Sequence, residues 1–424
     1  MNTDGHRCVE NGRSCGIHPT AYQFEALSIG VHLRSSAVLF FLCLVSLLAV
    51  AAEEIPLRTA EGFAVPQRGA RFAFPRDHGS HPEFALEWWY VTGHLFETNG
   101  ARYGFQATFF RRAGPRTSAT KSPATPTFGD QELYLAHMAL LDVQTGRFHH
   151  QERLNREGWD AGSSTETLSV SNGNWSLRLA QPPASHSSPL PAPSNRPPDL
   201  ILLRGSIRAE ASFKLQLVPQ KPLVVFGADS VSRKAAEPTA ASHYLTFTRL
   251  RVTGTLILDG KTRPVTGQAW MDHEFSSSQL GKGQVGWDWA CLQLNDGREI
   301  MAYRMRRAEG STDLFSTLAW VDQRGEVHHS TPAEFRWEPE GEWKSPATGG
   351  KYPARIRLTT HDPDSGQNVT FRIEPLAADQ ELTGALGGIP YWEGACRVLD
   401  DRGKVIGQAF LELTGYAGGL QGRL

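Results

Sequence analysis

From Glu54 onward the chain is built of short runs in which apolar and polar residues alternate, closed off by Gly, Pro, Asn and Asp. Almost no stretch keeps a 3.6-residue period. A period of two sends successive side chains to opposite faces of a strand, so the pattern restricts this part of the chain to antiparallel β structure. Tyr103, Phe105, Ala107 and Phe109 form one such run, and Leu250, Val252, Gly254, Leu256 and Leu258 another; residues 213–218, 299–305, 355–359 and 369–373 read the same way. Thr98-Asn99-Gly100, Leu258-Asp259-Gly260 and Asn295-Asp296-Gly297 fall between runs, where hairpins need residues that tolerate positive φ. The proline-rich stretches 114–129 and 181–199 cannot supply a regular ladder of amide donors and are read as surface loops.

The chain also repeats itself. Gly267-Gln268-Ala269-Trp270-Met271-Asp272 matches Gly407-Gln408-Ala409-Phe410-Leu411-Glu412 in type at every position. At the other end of each copy, Trp89 precedes Leu95, Gly100 and Arg111-Arg112-Ala113, as Trp289 precedes Leu294, Gly297 and Arg306-Arg307-Ala308. Features in the same order with drifting spacing are expected of two copies of one β unit. Copy one runs from 66 to 276 and copy two from 277 to 424, joined by the SSSQLGKGQ segment. An antiparallel unit of this size hides its edges by closing into a barrel or by pairing two sheets, and the residues alone leave both open.

Residues 37–52 are the only long apolar run, following Arg34 and ending in small residues before Glu53-Glu54. That is the grammar of a signal peptide, so residues 1–52 are set apart from the fold and the protein is expected to be exported, periplasmic or secreted. The run is short for a membrane span, with an uncleaved N-terminal anchor as the alternative; the first 30 residues are long and polar for a signal's leading region, so a start codon downstream of Met1, for instance near Val31, is expected. With 43 basic against 44 acidic residues, and no Lys/Arg block, a nucleic-acid partner is not expected. The cysteines at 8, 15, 43, 291 and 396 have no zinc spacing, and Cys291 and Cys396 are expected as buried free thiols, with a disulfide between them as the alternative in an oxidising compartment. No metal or cofactor is implied. There is no GxSxG elbow, HExxH or phosphate loop. The histidine pairs His149-His150 and His328-His329 would point to opposite faces of a strand and are expected at the surface.

The densest chemistry lies in two segments. In Glu87-Trp88-Trp89-Tyr90-Val91-Thr92-Gly93-His94-Leu95 the odd and even positions take opposite faces, and both faces are costly to leave wet. The ordinary reading is a strand between packed layers. The sharper one puts Glu87 in an aromatic-walled cavity, where burial raises its pKa and makes it a proton donor. In Trp270-Met271-Asp272-His273-Glu274-Phe275, Trp270, Asp272 and Glu274 share a face; two carboxyls beside an indole are costly to bury and cheap to expose, so the segment reads either as a site or as a solvated strand end. Glu274 and His273 have no counterpart in copy two, so a specialised site is expected in copy one. Trp287-Asp288-Trp289 and Tyr391-Trp392-Glu393-Gly394 repeat the theme of aromatics beside an acid.

At residues 87–94, 267–274 and 391–394 the chain resembles the AttH-like secreted proteins related to carotenoid 1,2-hydratase (hydroxyneurosporene synthase). The resemblance spans residues 66–416 and implies two lipocalin-like β-barrels in tandem, which decides for barrels over sandwiches. It implies a hydrophobic, lipid- or isoprenoid-like small-molecule partner and contact with a membrane surface. It also implies hydratase or hydrolase activity, and ABC-transporter components as partners of a non-catalytic carrier. Hydrating an isoprenoid double bond needs a carboxylic acid to protonate the alkene, aromatic faces to stabilise the cation, and a held water. Asp272 and Glu274 are the candidate acids beside Glu87. Trp88, Trp89, Tyr90, His94, Trp270, His273, Trp287, Trp289, Tyr391, Trp392 and Glu393 are the expected cavity wall. A carrier would have no convergent acid, a hydratase a buried raised-pKa carboxyl, and an envelope interaction protein filled barrels with a flat patch.

Overall fold

The computed structural model describes residues 55–116, 132–180, 200–386 and 389–420. The signal-like segment lies outside them, as do most of the 114–129 loop and all of the 181–199 loop. The chain is all β: among the described residues the only helical element is one 3₁₀ turn, Arg76–His78, and no helix is long and apolar enough to cross a membrane.

The strands form two nearly closed antiparallel barrels. In the first, strand Leu86–Phe96 lies between Arg102–Arg112 and Lys261–Ser278, the last strand of its copy. In the second, Gln284–Leu294 lies in the same way between Glu299–Arg307 and the final strand Val405–Thr414. Each copy thus joins its first strand to its last in the middle of its sheet, and the ladder stays open between Arg147–Arg156 and Ala161–Ser163 in the first barrel and between Val327–Ser330 and Phe335–Glu340 in the second.

Alternation sorts the side chains. Trp89, Val91 and Leu95 point into the first barrel, where they pack with Phe105, Phe109, Trp175 and Phe213. Ala290, Leu292 and Leu294 point into the second with Trp320, Leu358, Trp392 and Leu411. Both interiors are filled with side chains. A third apolar cluster forms between the barrels from the opposite faces of the same strands: Tyr90 and Trp270 from one, Trp289, Cys291 and Phe410 from the other. Fully burying side chains of this size stabilises by roughly 1.5–3 kcal/mol each, so the seam is a core in its own right. Cys291 and Cys396 are both buried and free.

The ladder register corrects one correspondence drawn from the sequence. Tyr90 sits opposite Asp272 and Thr92 opposite Trp270; in the second copy Trp289 sits opposite Glu412 and Cys291 opposite Phe410. Trp289 therefore takes the place of Tyr90 rather than of Trp89. A slip of one residue moves a side chain to the other face.

Candidate functional site: a carboxyl cluster between the barrels

Asp272 is the centre of the seam. It lies on the outward face of the strand Lys261–Ser278 and accepts hydrogen bonds from Tyr244 Oη (2.8 Å), Thr246 Oγ1 (2.7 Å) and Trp270 Nε1 (2.7 Å). No cation pairs with it among the described residues. Burial pushes its pKa up to about 7 against those three hydrogen bonds, and nearby Glu274 pushes the same way. Tyr244 in turn accepts from Trp289 Nε1 at 3.0 Å, which ties the acid's support to the second barrel.

Two further carboxyls reach the seam from the second barrel. Burial pushes Glu412 up to about 7 against the hydrogen bond from Trp287 Nε1 (2.8 Å), with Asp272 and Glu274 adding to the rise. Glu393 is raised well above the carboxylate range by burial and by Glu412, while Tyr90 Oη donates to it. Glu274 differs from all three, because Lys234 Nζ lies 2.9 Å away and Ser242 donates to the carboxylate. Of the two carboxyls the sequence paired on this strand, Glu274 pairs directly with a buried lysine, whereas Asp272 feels that lysine's charge without an ion pair of its own.

Beside Glu393, on the same strand face, Tyr391 Oη accepts from Gln106 Nε2 (3.0 Å) and lies 2.7 Å from His137 Nδ1. Which of the two donates follows the imidazole tautomer, because a phenol oxygen that accepts from an amide can also accept from Nδ1–H. Burial lowers His137 to about 4 against the pull of Glu152, so the ring is neutral near pH 7. His137 Nε2, Gln106 Oε1 and Glu393 Oε2 are buried and have no hydrogen-bond partner. Phe110 packs against this group, its ring centroid 5.3 Å from that of His137.

The seam is closed. A void of about 10 Å³ lined by Thr92, Trp270, Cys291 and Phe410, room for about one water, lies beside the cluster. His94 flanks it, with Nε2 3.0 Å from Ala409 O, and burial lowers its pKa to about 3.

The structure therefore brings Trp88, Tyr90, His94, Trp270, Asp272, Glu274, Trp287, Trp289, Tyr391 and Glu393 to one seam. It does not bring Glu87, Trp89, His273 or Trp392. Trp89 and His273 face the first barrel's interior, stacked with ring centroids 4.9 Å apart, and Trp392 faces the interior of the second. Glu87 is buried as expected, but the direction of its pKa is reversed. Burial alone would raise it, yet hydrogen bonds from His273 Nε2 (2.8 Å) and His81 Nδ1 (3.0 Å) and the charge of Arg111 (2.9 Å) hold it well below the usual range. Glu87 stays ionised and cannot serve as a proton donor. The donor atoms of His81, Glu87 and His273 lie within 4.8 Å of one another, close enough for a metal ion, although the second carboxylate oxygen of Glu87 is already taken by Arg111. The expectation that the paired histidines lie at the surface fails for His149, which is buried with Nδ1 2.6 Å from Glu210.

Sequence reasoning missed His137, Gln106, Tyr244 and Glu412 as members of the site. All four lie on period-two strands whose outward faces are visible in the sequence, but which outward faces meet depends on how the barrels dock.

Two nearly closed antiparallel barrels match the AttH-like lipocalin fold, and the chain belongs to the AttH-like family, which matches residues 65–416. An AttH protein from Nitrosomonas europaea is 32% identical, with a TM-score of 0.68 over 82% of this chain and 98% of that one. Kievitone hydratase from Nectria haematococca shares the fold at 15% identity, with a TM-score of 0.57 over 86% of this chain and 99% of that one. Among curated proteins none matches the sequence significantly.

Proposed function

We propose that the seam receives a hydrophobic, lipid- or isoprenoid-like molecule and adds water across one of its carbon–carbon double bonds. The observation that carries this reading is Asp272: a carboxyl sealed from water, without an ion pair of its own, with a pKa near 7 and an indole donating to it. A neutral carboxylic acid at neutral pH is what protonation of an alkene requires. Proton transfer to the less substituted carbon leaves a cation on the other and a carboxylate at Asp272. Trp270 and Trp289, which pack edge to face with ring centroids 6.2 Å apart, supply the aromatic surface that stabilises such a cation once the seam parts. A water adds to the cation and gives up a proton, which returns Asp272 to its neutral form.

Filled barrel interiors move the binding place from the lumen, where a lipocalin-like barrel would hold a ligand, to the seam. Because the seam is closed, reception of substrate requires side chains there to part. Kievitone hydratase has the same fold, and its name is that of a water-adding enzyme. Export across a membrane, as the N-terminal segment suggests, belongs to the same reading.

The test is turnover of a linear isoprenoid alkene in ¹⁸O-labelled water, with the tertiary alcohol followed by mass spectrometry. The wild-type chain should incorporate the label. Asp272→Asn should lose roughly 10²–10⁴-fold in rate while remaining folded, and Glu274→Gln should lose less. Full turnover by Asp272→Asn would remove it as the proton donor, and loss-free binding without turnover in the wild type would favour a carrier.

A further inference from the structure

At the end of the seam away from Asp272, the two copies of the Gly-Gln-Ala motif meet. Gln408 Nε2 donates to Gln268 Oε1 (3.1 Å) and to Gln293 Oε1 (3.3 Å), so the repeated glutamines lie against each other across the barrels. They floor a solvent-open groove of about 580 Å³ whose wall includes Phe96, Arg102 and Arg251. In a chain with almost equal numbers of acids and bases, this groove is lined by two arginines, six amide or hydroxyl side chains and no carboxylate.

Neither arginine has an acidic partner among the described residues. Arg102 touches His94 Nδ1 through Nη2 (3.0 Å) and lies over the Phe96 ring at 5.6 Å, while its Nε is buried without a partner. Arg251 is exposed at the rim. Elsewhere in the same seam the guanidinium of Arg249 is matched by Glu299 at 2.5 Å, so the absence of a counter-charge in the groove is local. A concave surface of one sign concentrates ions of the other, and planar guanidinium forks suit an oxyanion.

The groove also lies in line with the acid. Gln268, Trp270 and Asp272 share one face of a regular strand, and Gln293 and Gln408 line both the groove and the small void beside Trp270. Four residues of strand span roughly 13 Å. Resting on the reading of the seam as the place that takes an apolar molecule, we propose that this groove is a subsite for the oxyanion at the end of that molecule: its ligand is a chain-like amphipath with an anionic head on Arg102 and Arg251 and its reacting carbon about 13 Å further along, by the same strand rise.

Calorimetric titration of the full chain with decanoate, decanol and inorganic phosphate tests this, with circular dichroism as the check on folding. Decanoate should bind roughly ten- to a hundredfold more tightly than decanol, the size of effect of one charge-assisted hydrogen bond. Arg251→Gln, at an exposed position, should remove that preference without touching decanol binding; Arg102→Gln should do the same and Arg102→Lys should restore part of it. Equal binding of decanoate and decanol overturns the head-group subsite and leaves the seam reading intact. Phosphate binding that depends on Arg251, with no affinity for either chain, keeps the oxyanion site but overturns the amphipath and the seam reading together. Binding of none of the three overturns both.

Discussion

Glu87 and Asp272 are both carboxyls sealed from water, and their neighbours drive them in opposite directions. Glu87 has two imidazoles and a guanidinium; Asp272 has two hydroxyls and an indole. Removing the charge in Glu87→Gln leaves Arg111 buried with less compensation, a change that costs about 3–5 kcal/mol, measurable by urea denaturation. The pH signatures are also opposite. The folded-state pKa of Glu87 lies below its ordinary 4.5, so its contribution to stability is present above that pH and is lost as the pH falls through the folded value. That of Asp272 lies above its ordinary 3.8, so its contribution is present below that pH and is lost as the pH rises through about 7. Asp272→Asn should therefore flatten the fall in Tm between about pH 4 and 7, whereas Glu87→Gln should flatten the acid limb. Turnover, which needs the protonated acid, should decline above about pH 7 in the wild type. The sequence pointed to Glu87 as a buried acid with a raised pKa, and left Asp272 between a buried site and a solvated strand end. The sign at Glu87 came out reversed because His81, His273 and Arg111 come to it from three separate stretches of chain.

At the scale of strands, alternation made the fold readable and also fixed which side chains share a face. Trp270, Asp272 and Glu274 point the same way, as their spacing required, and so do Tyr391 and Glu393. What alternation could not give is which of a strand's two faces looks into a barrel and which looks at the other barrel. Trp89 and Trp392 went inward while their neighbours Trp88 and Tyr391 went to the seam. The seam's tightness is set partly by Gly104 on strand Arg102–Arg112, where an added Cβ would lie 2.4 Å from Ala395 Cβ of the second barrel. Gly104→Val should push the barrels apart locally, cost about 1–3 kcal/mol, and red-shift the fluorescence of the seam tryptophans.

The molecule behaves as one body because polar ties as well as apolar surface cross between the barrels. Glu299 of the second barrel is buried between Lys221 and Arg249 of the first, each at 2.5 Å. Gln293 Nε2 donates to the carbonyls of Thr248 and Ala269, and Glu152 accepts from the amides of Gly384 and Leu386. Glu299→Gln leaves two cations facing a neutral amide, at a cost of about 3–5 kcal/mol. Denaturation followed by tryptophan fluorescence and by circular dichroism should coincide in the wild type and separate in this variant. The register match across the seam carries a further consequence. Tyr90, Thr92, Trp270 and Asp272 of one copy face Trp289, Cys291, Phe410 and Glu412 of the other, so equivalent strands supply both walls, as in the self-complementary contact of a homodimer. The two acids at matching register positions are nonetheless held differently, Asp272 by two hydroxyls and an indole and Glu412 by a single indole, so a seam that is symmetric in its strands has a direction in its chemistry.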